Sequence, residues 1–120
     1  MEIFQRNKAT PFITADGSQI RELIHPNFCG VQNQSLAEAT LAPGGATTEH
    51  YHPRAEEIYY VLQGVARLRI EEQTRDLKAG DAVLIAAGSR HKIWNVGPDD
   101  LRFLCCCAPA YSHDDTILTE

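Results

Sequence analysis

A chain of 120 residues with 43% hydrophobic and 22% charged residues is the length of one domain and holds enough apolar side chains for a core, which excludes global disorder. Its formal net charge of −5, with eleven Lys and Arg scattered along the chain, excludes a clustered basic footprint for nucleic acid and disfavours anionic membranes. No apolar stretch approaches the roughly 18 residues of a membrane span, and the opening MEIFQRNKATPF lacks a basic region followed by an apolar run. One cytoplasmic domain over residues 1–120 is expected.

Turn signals recur at short intervals: Asp16-Gly17, Pro26-Asn27, Pro43-Gly44-Gly45, Gln63-Gly64, Ala79-Gly80-Asp81, Ala87-Gly88-Ser89 and Gly97-Pro98-Asp99-Asp100. Between them lie β-branched, aromatic and aliphatic runs, Ile20–Ile24, Leu36–Ala42, Ile58–Leu62, Val65–Ile70, Ala82–Ala86, His91–Val96 and Leu101–Cys107. Short strands at such spacing predict an all-β sandwich or barrel with little helix. The runs IYYVL and RFLCCC are apolar on both faces, so each should be covered twice, by two sheets or by a partner subunit. A homodimer is therefore expected.

The cysteines fit this picture. Cys105, Cys106 and Cys107 are contiguous and Cys29 is remote. Neighbouring strand residues point to opposite faces, so disulfide geometry is poor and the thiols are read as reduced, small strand residues. No spaced C-x-x-C pair suggests a thiolate metal site. The polar tail YSHDDTILTE is expected to pack over the barrel or fray.

The chemistry concentrates in EHYHPRAEEIYYVLQG, residues 49–64. His50 and His52 stand i, i+2, so on a strand their imidazoles leave one face and can converge on one ion. After the Pro53 break an acid can turn back toward the pair; alternation alone leaves Glu56 and Glu57 equally eligible. His91 follows the Gly88-Ser89-Arg90 turn and joins the set only if strand pairing brings it there. Three imidazoles and a carboxylate suit one divalent transition ion, with Fe, Mn or Ni favoured and Zn, Co or Cu possible.

These residues resemble the cupin family, in its small single-domain form of the cupin 2 type and mannose-6-phosphate-isomerase-like group. The first cupin motif, G-x5-H-x-H-x(3,4)-E-x6-G, is matched by Gly44, His50, His52, Glu57 and Gly64. The second, G-x5-P-x-G-x2-H-x3-N, is matched by Gly80, Gly88, His91 and Asn95, with Ala86 where the motif has proline. The resemblance covers a core of about residues 36–107 and implies a double-stranded β-helix, or jelly-roll, barrel of two antiparallel sheets. It also implies an ion held by His50, His52, Glu57 and His91, and it selects Glu57 over Glu56 by the count back from Gly64. Asn95 is read as satisfying a turn.

Four protein ligands on an ion that prefers six leave room for a small-molecule substrate or dioxygen. A metal-dependent dioxygenase or related oxidoreductase is the favoured reading. The alternatives are a redox-neutral isomerase, decarboxylase or lyase, and a non-enzymatic metal or ligand binder. Tyr59 alternates with Glu57 and is a candidate for proton transfer beside its core-packing role, and Arg90 is a candidate receptor for an anionic substrate. Trp94, on the opposite face from His91, is assigned to packing. No phosphate-cradling Gly/Lys loop is present, so sugar-phosphate chemistry does not follow from the group name.

Overall fold

Turn chemistry cuts the chain into short extended runs, and in a computed structural model describing residues 1–120 these runs pair into two sheets. In chain order the strands are β1 (Phe12–Ile13), β2 (Gln19–Ile24), β3 (Ser35–Leu41), β4 (His50–Tyr51), β5 (Glu56–Gln63), β6 (Val65–Ile70), β7 (Gln73–Lys78), β8 (Ala82–Ile85), β9 (His91–Asn95), β10 (Leu101–Ala108) and β11 (Ile117–Leu118). One sheet runs β1-β2-β3-β10-β5-β8 and the other β11-β4-β9-β6-β7. Every pairing is antiparallel. The only helical pieces are 3₁₀ turns at Arg6–Lys8 and His113–Asp115, so no helix is long and apolar enough to cross a membrane. This is the double-stranded β-helix barrel that the sequence implied.

Alternation sets the core. On β5, Glu57, Tyr59 and Val61 point inward and are buried, while Ile58, Tyr60 and Leu62 face out. Phe103 and Leu101 of β10, Leu68 and Ala66 of β6, Ile93 of β9 and Ile85 of β8 fill the space between the sheets. Each large apolar side chain so buried contributes about 1.5–3 kcal/mol.

All seven runs read from the sequence form strands. The two-residue strands β1, β4 and β11 are too short to carry a pattern. The chain Gln73–Lys78 was not foreseen as β7 because it is polar at all but one position. It is an edge strand whose Leu77 alone is buried, held to β6 by its ladder and by Arg67 on Asp76 at 2.8 Å.

Gly64, between β5 and β6, has φ +94°, and a Cβ there would lie 2.9 Å from the Asp100 carbonyl oxygen and 3.0 Å from Leu101 Cα. The motif needs glycine here for both conformation and close approach. The tail does not fray: β11 pairs with β4, setting Ile117 against Tyr51 and Leu118 against His50. Trp94 packs outside the barrel, with the Arg69 and Lys92 cations each 5.4 Å from its ring.

Candidate metal centre

Two sheets contribute to one cluster. His50 of β4 is paired in register with His91 of β9, and His52 follows β4 where its carbonyl accepts from the Gly88 N–H at 2.8 Å. Glu57 enters from β5 in the facing sheet. All four are buried, and one ligand atom from each lies within 4.8 Å of the others. Strand pairing therefore brings His91 to the H-x-H pair, as the sequence required. Glu57 rather than Glu56 points inward; Glu56 is exposed.

Each imidazole is oriented from behind. His50 Nδ1 donates to the Thr48 carbonyl at 2.7 Å, His91 Nδ1 to Ser89 at 2.9 Å and His52 Nδ1 to Asp115 at 3.0 Å. In the neutral ring a protonated Nδ1 leaves Nε2 as a lone pair, so all three Nε2 atoms present acceptors to the same point. His52 Nε2, His91 Nε2 and Glu57 Oε1 are buried with no hydrogen-bond partner in the protein. Inward acceptors left unpaired are costly unless a cation completes them. The donor set fits one divalent transition ion, which His50, His52, Glu57 and His91 could hold.

Electrostatics agree with a preformed site. Burial works against the Glu57 charge, yet the nearby imidazoles of His52 and His91, 3.3 and 3.4 Å away, pull its carboxyl down to about 2. Burial and the neighbouring His91 lower His50, keeping that ring neutral and able to ligate. Burial also opposes charge on His52, but the Glu57 carboxylate 3.3 Å away outweighs it and raises this imidazole. Glu57 is thus an anion, and its second oxygen, Oε2, accepts from Cys107 Sγ at 3.2 Å.

A pocket opens beside the cluster, lined by the inward side chains of β2, β3, β5 and β10 together with Asp16, Tyr111, His50 and His52. Tyr59 is on its wall, 2% exposed, against Phe103 and His91 with ring centroids 4.8 and 5.9 Å away. Burial first, then the charge of Glu57, holds its phenol far above the ordinary range, so it can only be a proton donor or a packing group. Arg90 is elsewhere: it is exposed, outside the pocket lining, with its guanidinium on Glu71 at 2.9 Å. Asn95 braces a turn, its Nδ2 donating to the Leu41 and Asp99 carbonyls and its Oδ1 accepting from Gly97 N.

Sequence reasoning missed four groups at the site: Asp16, Cys107, Asp115 and Thr116. Asp16 lies in the β1–β2 turn, where Asp-Gly reads only as turn chemistry. Its Oδ1 accepts from Thr14 Oγ1, Ser18 N and Ser18 Oγ at 2.6, 2.9 and 2.6 Å, and its Oδ2 lies 3.6 Å from His50 Nε2. Asp115 and Thr116 belong to the tail and reach His52 across more than sixty residues, with Thr116 Oγ1 at 3.3 Å from Nδ1.

Comparison with known proteins places this geometry in context. Residues 37–107 match the family described as the cupin domain. An uncharacterised protein of Methanocaldococcus jannaschii is 45% identical over 114 residues, covering 95% of this chain and 91% of that one. The polyketide synthase CurC of Streptomyces cyaneus is 31% identical over 93 residues, covering 78% of this chain, which spans only 60% of that protein's length. Among solved structures, a predicted oxalate decarboxylase from Thermotoga maritima superposes with a TM-score of 0.80 at 24% identity, over 90% of this chain and 99% of that one, which shows a shared fold.

Proposed function

This chain belongs to the cupin domain family, and from that premise we propose that it is a mononuclear metal-dependent oxidoreductase, a dioxygenase in type, acting on a small organic molecule. The observation that carries the reading is the convergence of His52 Nε2, His91 Nε2 and Glu57 Oε1, all buried and unpartnered. An ion held there would supply Lewis-acid polarisation and, as Fe, Mn or Ni, redox chemistry with dioxygen. The chain's own residues do the rest. Tyr59, Phe103 and Ala39 give the pocket apolar walls that exclude water. Cys107 fixes Glu57, and the carbonyls of Thr48, Ser89 and Asp115 hold the imidazoles. Similarity to a polyketide synthase component supports an oxygen-rich carbon skeleton as substrate.

A redox-neutral isomerase, decarboxylase or lyase is the second reading, favoured by Asp16, whose unengaged oxygen at the cluster suits proton movement without an oxidant. Metal analysis of tag-free protein, followed by oxygen uptake on a panel of small oxygen-rich substrates, tests the proposal. One Fe, Mn or Ni per chain with substrate-dependent uptake is expected. Turnover that persists without oxygen would favour the second reading, and stoichiometric metal with neither would favour a binding protein.

The chain is further proposed to act as a homodimer in the cytoplasm, a setting its four free cysteines suit. The outer face of its larger sheet exposes Ile58, Tyr60 and Leu84 by 46, 41 and 63%. A contiguous apolar face of this kind is what a second subunit covers. Sedimentation is expected to give twice the 13.3 kDa chain mass; a monomer at micromolar concentration would overturn the dimer.

A further inference from the structure

We propose that Asp16 selects the substrate at this centre, admitting a small neutral oxygen chelator that donates an O–H or N–H and turning away dicarboxylates. The inference rests on the metal-dependent reading above and deepens it.

Asp16 is held as a functional group rather than as a solvated turn residue. Its Oδ1 is fully engaged by Thr14 Oγ1, Ser18 N and Ser18 Oγ, while its backbone carbonyl accepts from Thr48 N at 2.6 Å, the residue whose own carbonyl orients His50. Oδ2 accepts no hydrogen bond from the protein and faces His50 Nε2 at 3.6 Å. Because the His50 Nδ1–H is committed to Thr48, this is a lone pair facing a lone pair. Two acceptors at that separation are stable only with a cation or a proton donor beside them. His50 Nε2 would be satisfied by an ion held with His52, Glu57 and His91. Asp16 Oδ2 would then remain without a donor on the wall of the pocket beside the centre.

Charge narrows what that ligand can be. None of the residues lining the pocket is Lys or Arg, whereas Asp16, Glu22 and Glu57 all line it. Arg6 and Arg102 pair with Glu38, Arg69 with Glu49, Arg90 with Glu71 and Arg54 with Asp115. One divalent ion is already offset by Glu57 and Asp16 together, so a dianion such as oxalate meets uncompensated repulsion. A neutral chelator bearing a hydroxyl or amide hydrogen next to its coordinating oxygen gives Asp16 Oδ2 the donor it lacks.

The test uses protein loaded with Co(II) to one ion per chain, with the visible bands of the ion as the reading, so no turnover is required. Wild type, Asp16→Asn and Asp16→Ala are titrated with oxalate and with acetohydroxamic acid. Asp16→Asn preserves an oxygen for Thr14 and Ser18, and each variant is titrated after loading to one Co(II) per chain. Asp16→Asn is expected to bind oxalate about tenfold more tightly, through lost like-charge repulsion. It should bind acetohydroxamic acid about fivefold more weakly, through the lost charged hydrogen bond. Asp16→Ala should reproduce the gain for oxalate. Shifts of the two ligands in the same direction, or none beyond twofold, would overturn the selection and mark Asp16 as a turn residue. A wild-type protein that takes up no Co(II) would overturn the metal reading and the selection with it, whereas full loading with parallel responses overturns the selection alone.

Discussion

Cys107 Sγ donates to Glu57 Oε2 at 3.2 Å, directly across the β10–β5 ladder, and so leaves Oε1 turned toward His52 and His91. Burial first, then the charge of Glu57, pushes this thiol far above its ordinary range, so Cys107 remains an S–H donor at any physiological pH. Groups behind a metal ligand typically change metal affinity by about 10–100-fold when removed. Cys107→Val should lower affinity about tenfold by freeing the carboxylate, while Cys107→Ser, with a hydroxyl donor, should stay near wild type. Competition against a chromophoric chelator reads both. Equal affinity for Cys107→Val and wild type would show that packing alone orients Glu57.

The two adjacent acids give a sharper contrast. Glu57 is 5% exposed and faces the cluster, and Glu56 points to solvent. Glu57→Gln removes the only anionic ligand and should leave less than a tenth of the metal on the purified protein, whereas Glu56→Gln should retain it in full. The opposite pattern in metal content per chain would mean that the register of β5, with the inward placement of Tyr59, is wrong.

The four-residue cluster that could hold an ion was legible in the sequence because its members fall at fixed spacings in two short segments. The strands were legible wherever one face or both are apolar. What stayed hidden depends on long-range pairing without a pattern of its own. The polar β7 looks like a loop because its neighbour β6 and one leucine hold it. Asp16 looks like an ordinary Asp-Gly turn until the fold sets it against His50. Arg90, adjacent to His91 in sequence, lies in the turn before β9 with its guanidinium on Glu71, a pairing that no local pattern signals. Cys105 and Cys107 were read as small strand residues, and the alternation that turns Cys106 to the other face puts both on the pocket wall.

The tail behaves as part of the site. Asp115 Oδ1 and Oδ2 accept from Arg54 N and Ala55 N at 3.0 and 2.9 Å, locking the turn between His52 and Glu57, while its carbonyl holds His52 Nδ1. Asp115→Ala removes two charged hydrogen bonds, each worth about 1.5–3 kcal/mol in favourable settings. It should also weaken metal binding about tenfold by loosening the orientation of His52. Denaturation and chelator competition on the same preparations separate the two effects. Lost stability with unchanged metal affinity would reduce Asp115 to a structural clamp.

Glu38 provides the clearest pH signature away from the metal centre. It is 4% exposed on β3, and its two oxygens accept from Arg102 Nη2 at 3.0 Å, Arg102 Nε at 3.2 Å and Arg6 Nε at 2.6 Å. Burial opposes its charge, but these hydrogen bonds and the two guanidinium charges win, and its carboxyl sits below its ordinary value of 4.5. A carboxyl lowered in the folded state binds its proton more weakly there than in the unfolded chain. The stabilisation is therefore complete above about pH 4.5 and fades as pH falls through the folded value. Glu38→Gln should cost about 2–3 kcal/mol at pH 7, less than a fully buried pair would lose, because both arginines are about a third exposed and can rehydrate. Urea denaturation of wild type and variant should show that gap narrowing between pH 5 and pH 3.5. A gap constant across this range would mean that shape rather than charge makes Glu38 necessary, with the arginines serving only as cover for β3 and β10.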